Sequence, residues 1–82
     1  MSEMKFGLGV NPRSAGYETG SNTAYDLVTG KFYVDEYNNA LAWIEEITQN
    51  LKGVERGSLD HESYSAELSY WRGVVKGMDS QR

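Results

Sequence analysis

Residues 35–51, DEYNNALAWIEEITQNL, form the clearest amphipathic stretch of the chain, and their reading decides how everything else is arranged. With Ile44 at the centre of a face and about 100° per residue, Tyr37, Ala40, Leu41, Ile47 and Leu51 all fall within roughly 60° of it. Such a stripe belongs to a helix that must bury one side. Asp35 is a suitable N-cap and Glu36 favours the positive helix end. Lys52-Gly53 supplies a stop, with a cation in the last turn and a glycine able to turn left-handed. The expected helix is therefore 35–52.

Upstream, the pattern changes to that of a small sheet. Met4, Phe6, Leu8 and Val10 alternate with Lys5, Gly7 and Gly9, as in a strand with one apolar face. Gly7-Leu8-Gly9 is a poor phosphate loop, because Pro12 stands where a dinucleotide fingerprint wants its third glycine. Residues 11–23, NPRSAGYETGSNT, are rich in turn formers and lack periodicity, which predicts a long loop in which Arg13 and Tyr17 carry the binding capacity. Tyr25 to Val34 reads as a hairpin turning at Thr29-Gly30, pairing Leu27 with Phe32 and Tyr25 with Val34.

Downstream, a short connector leads to Ser58 or Asp60 as the cap of a second helix, 58–78. Its stripe of Tyr64, Leu68, Trp71, Val74, Val75 and Met78 is expected to be buried. The short link makes it antiparallel to the first. These elements predict a single α+β domain spanning 1–82, in which a three-stranded antiparallel sheet (4–34) packs on a two-helix antiparallel hairpin, in the order βββαα.

Composition narrows the function classes. The chain has 82 residues, no cysteine and a net charge of −4. Without cysteine there is neither a disulfide framework nor a thiolate metal site. The start, MSEMKFGLGV, shows no secretory signal, and no run approaches the ~20 apolar residues of a membrane span, so a cytoplasmic protein without membrane contact is expected. Asp35 to Glu67 holds Asp35, Glu36, Glu45, Glu46, Glu55, Asp60, Glu62 and Glu67 against Lys52 and Arg56, a segment charge of −6. That balance argues against direct nucleic-acid binding, which relies on clustered Lys and Arg.

No motif names a reaction. His61 is flanked by Asp60 and Glu62, but adjacent helical residues diverge by about 100° and cannot converge on one metal. Glu45 and Glu46 point apart for the same reason. Neither a catalytic residue, a metal site nor a cofactor is expected. More informative are residues the expected core leaves over. Ala66, Tyr70, Gly73 and Gly77 share the side of the second helix opposite its buried stripe, and two helical glycines cost about 1 kcal/mol each relative to alanine. Either something packs there, or the glycines loosen a helix end. Trp43 sits at the border of the first stripe, where it could cover the core edge or anchor a partner.

The expectation is a non-catalytic protein-binding module that inhibits by occupying a partner's surface. Contacts would come from Trp43, Tyr70, Gly73 and Gly77, with Glu45, Glu46, Glu62 and Glu67 steering association toward a basic patch, as on a nucleic-acid enzyme. Alternatives are an acidic mimic that blocks a DNA- or RNA-binding groove, a homodimer through the glycine face, and single-strand binding by Tyr33, Lys5 and Lys31. In composition alone, being short, acidic, cysteine-free and motif-poor, the chain resembles phage-encoded inhibitors such as anti-CRISPR proteins. That resemblance implies inhibition by binding in the host cytoplasm.

Overall fold

The computed structural model describes residues 11–82. Their regular elements are three helices, α1 (Pro12–Asn22), α2 (Val34–Lys52) and α3 (Leu59–Ser80), with no strand among the described residues. The described residues form an all-helical fold, which corrects the expected α+β sheet and the order βββαα. The expected first strand, Met4 to Val10, lies outside the described residues.

α1 replaces the expected loop. Asn11 caps it, its side-chain oxygen accepting from the amides of Arg13 at 2.9 Å and Ser14 at 3.3 Å, and Pro12 occupies the first turn, where its missing N–H costs nothing. Thr23 closes the other end by donating its hydroxyl to the Thr19 carbonyl at 2.7 Å. What holds α1 is tertiary, because its buried residues are Gly16 and Gly20. These meet Gly73 and Gly77 of α3 in a reciprocal backbone contact. A Cβ at Gly16 or Gly20 would collide with the Tyr70 or Val74 carbonyl group, and one at Gly73 or Gly77 with the Arg13 or Tyr17 carbonyl. Only glycine allows two helices to approach so closely.

The expected hairpin at Tyr25 to Val34 shrinks to one antiparallel bridge, Tyr25 with Phe32. The register differs from Tyr25 opposite Val34 because Asp26, not Thr29-Gly30, organises the turn. The Asp26 side chain accepts from the amides of Val28 (2.7 Å) and Thr29 (2.9 Å), and the Asp26 carbonyl accepts from the Gly30 amide (2.8 Å). Gly30 takes the positive φ of 69° that this wider loop needs.

α2 begins one residue before the expected start, with Tyr33 rather than Asp35 at the cap position, and Gly53 stays right-handed at φ −96°. Gly57 makes the left-handed turn instead, at φ 84°. Ser58 is the cap of α3, accepting from the His61 amide at 3.1 Å. On α2, Ala40 and Ile47 are buried, Tyr37, Ile44 and Leu51 half-buried, and Leu41 exposed. The buried face is thus turned toward Trp43, whose ring stacks on Trp71 of α3 at 6.4 Å and 19°.

α1 and α2 each pack on α3 and do not touch one another. α3 is therefore the central helix, buried on two sides: Val74 and Met78 join Ala24 and Ala40 in the apolar core, while Gly73 and Gly77 receive α1.

Candidate functional site

Of the eight large hydrophobic residues that are exposed among the described residues, five lie in the loop and helix start between residues 25 and 34: Tyr25, Leu27, Val28, Tyr33 and Val34. That concentration singles this segment out, since isolated surface hydrophobics are ordinary. Leu27 and Val28 form its tip, 99% and 94% exposed.

The tip is held from within. Asp26 fixes the amides behind it and also accepts from the Tyr33 hydroxyl at 3.0 Å. The Thr29 and Val28 amides, then Tyr33, hold the Asp26 carboxyl below its ordinary 3.8. Conversely, the bond and charge of Asp26, with a smaller contribution from Glu36, raise the Tyr33 phenol above 10.0.

The base of the loop is anchored to the end of α3. Phe32 lies edge-on to Tyr25 at 5.5 Å and to Tyr37 at 5.7 Å. The Arg82 guanidinium sits over Phe32 (5.0 Å) and Tyr37 (5.2 Å) and pairs with Asp79 at 3.4 Å. The Asp79 carboxylate near the Tyr37 hydroxyl, then burial, raise the Tyr37 phenol above its ordinary 10.0. Phe32 is thus committed to the fold, whereas Leu27 and Val28 contribute nothing to it.

Two hollows flank the loop and share Thr23 and Tyr33. The smaller, about 320 Å³, runs beside Tyr25, Leu27 and Val28. The larger, about 440 Å³, is the groove left between α1 and α2. α3 floors it with Tyr70, Trp71, Val74 and Met78, α1 contributes Thr19, and Glu36 stands on the α2 side. Tyr70 meets Trp71 edge to face at 5.3 Å and 84°. Trp71 Nε1 is buried without a hydrogen-bond partner among the described residues.

The residues expected to bind a partner are dispersed. Tyr70 belongs to the groove. Gly73 and Gly77 are buried under α1, so the something that packs on them is the chain itself. Trp43 is half-buried on Trp71. Glu45, Glu46 and Glu62 are exposed on α2 and α3, but Glu67, at 3% exposure, is buried and presents no charge at the surface. An acidic array is thinner for that loss. His61 is half-buried, and no group of three His, Asp or Glu among the described residues could hold a metal ion.

The residues missed by sequence reasoning are Asp26, Leu27, Val28 and Glu36, and Tyr33 figures there only as a stacking surface for single strands. The signal for them was Asp26 three positions before Thr29-Gly30, an Asx-turn arrangement that moves Leu27 and Val28 from a strand into the turn. Comparison with family models, curated proteins and solved structures finds no match for this chain. No helix among the described residues is long and apolar enough to cross a membrane.

Proposed function

We propose that the chain is a non-catalytic protein-binding module that inhibits by occupying a surface of a partner protein, with the 25–34 loop as its contact element. The observation that supports this reading is the nearly complete exposure of Leu27 and Val28 on a turn pinned by Asp26. Burying one such side chain contributes about 1.5–3 kcal/mol. A turn already fixed by hydrogen bonds loses little further entropy on binding, so more of that gain is retained as affinity. Asp35 and Glu36, exposed at the start of α2, give the surrounding surface a negative charge that steers it toward basic partners.

The test compares the tagged wild-type protein with the double variant Leu27→Asp/Val28→Asp in quantitative pull-downs from cell lysate. Both forms are first checked for equal helicity by circular dichroism. Proteins retained by the wild type and lost by the variant are the expected outcome. Identical retention by the two would overturn the assignment of the loop. Sedimentation velocity on the purified protein covers self-association: a dimer abolished by the same variant would make the partner a second copy of the chain.

A further inference from the structure

We propose that the groove between α1 and α2 receives the cationic side chain of a lysine or arginine on the partner protein, an inference that rests on the protein-binding reading above. The groove adjoins the apolar tip across Tyr33 and Thr23, so a partner seated on Leu27 and Val28 reaches it without a further contact surface. Its lining decides which side chain enters. Tyr33, Tyr70 and Trp71 supply aromatic surface, the last two as a right-angled corner. Val74 and Met78 form an apolar floor suited to a methylene stem, the part of lysine and arginine that packs while the head stays polar.

Charge completes the selection. Among the described residues Glu36 is the carboxylate of the lining and no Lys or Arg lines it, and Asp26 holds the hydroxyl of Tyr33 at the shared wall. Among the described residues the ion pair is Arg82 with Asp79, so Glu36 is not neutralised by a Lys or Arg of these elements. An anionic side chain would meet Glu36 directly. A neutral apolar one would strip water from that carboxylate without replacing it. A cation placed among aromatic faces and beside a carboxylate is attracted by both.

The experiment titrates N-acetyl-lysine methylamide, N-acetyl-arginine methylamide and the uncharged N-acetyl-norleucine methylamide into the labelled protein. The amides of Tyr33 and Glu36 and the indole of Trp71 are followed by NMR. The charged probes should shift these resonances, with norleucine weaker by about fivefold. Glu36→Gln should bring lysine most of the way toward the norleucine level, and Tyr33→Leu should weaken it by about twofold. Equal binding of norleucine and lysine, no effect of Glu36→Gln, or no shift with any probe would overturn the proposal. Pull-down with Glu36→Gln separates the two readings. A partner lost with Leu27→Asp/Val28→Asp but fully kept with Glu36→Gln rejects the cation site alone, whereas a partner indifferent to the loop variant rejects the docking surface itself.

Discussion

Gly77→Ala should destabilise the protein, although helix propensity alone predicts the reverse. In a solvated helix the exchange gains about 1 kcal/mol. Here the new methyl would lie 2.8 Å from the Ser21 amide nitrogen and 3.0 Å from the Tyr17 carbonyl carbon, and nearer still to the Tyr17 carbonyl oxygen. Ordinary contact begins at 3.4 Å, so clearing the Tyr17 carbonyl oxygen requires α1 to retreat by roughly 1 Å, a gap that forfeits about half of the dispersion between facing atoms. The obstacle is helical backbone, which cannot rotate aside as a side chain can. Overpacking of this kind costs about 1–3 kcal/mol, and a rigid obstacle places it at the upper end. After the propensity gain, a net loss of about 2 kcal/mol remains, a large share of the roughly 5–10 kcal/mol expected for a domain of this size. Urea unfolding followed by circular dichroism measures it, with Gly53→Ala as control. There the nearest atom is Asn50 O at 3.7 Å, an ordinary contact, so the control should stay within about 0.5 kcal/mol of wild type. A Gly77→Ala protein as stable as wild type, with an unchanged dependence on urea, would refute the close approach of α1 and α3.

Leu27→Asp and Val28→Asp should each change stability by less than about 0.5 kcal/mol, because both side chains are almost fully exposed; a larger loss in urea unfolding would show that the loop supports the fold. Trp43→Ala should lower stability by about 2–3 kcal/mol in the same assay, since it removes a half-buried ring stacked on Trp71, and near-neutrality would instead return Trp43 to the candidates for partner contact. For Asp26 the folded carboxyl lies below 3.8, so its contribution is fully present above that pH and fades as pH falls through the lower, folded value. The Val28 and Thr29 amide resonances should accordingly titrate with a midpoint under 3.8, and a midpoint at or above it would mean that the Asp26 turn does not form in solution.

The two long helices were legible because their apolar residues repeat with helical period, a signal that survives without knowledge of what packs against them. α1 was not. Asn11, Pro12, Ser14, Gly16, Gly20 and Ser21 each prefer turns when taken singly, and the segment lacks an apolar stripe. Yet Asn11-Pro12 is also a helix start, and Gly16-x-x-x-Gly20 has the same spacing as Gly73-x-x-x-Gly77. Each pair alone reads as a weak helix, and together they make one interface. The hairpin failed for a comparable reason. Glycine at position 30 located the turn, but the carboxylate at position 26 set its width by capturing two amides.

That division of labour bears on the site. Where α1 meets α3, packing is done by backbone and by the absence of side chains, so the sequence leaves Gly73 and Gly77 open as either a packing face or a loosened helix end, without revealing that a neighbour lies in the same chain. In the loop the situation is inverted. Phe32 and Tyr37 are drawn under Arg82 and Asp79, while Leu27 and Val28, equally apolar, are held out in water by the hydrogen bonds of Asp26. Small domains have little apolar surface to spare for stability. On the proposed reading, two side chains of that kind left outside the core, on a turn with its own internal bracing, serve contact and not folding. The groove beside them follows from the same architecture: α1 and α2 flank α3 without meeting, and the gap leaves Tyr70 and Trp71 lining a hollow that shares Thr23 and Tyr33 with the one beside the tip.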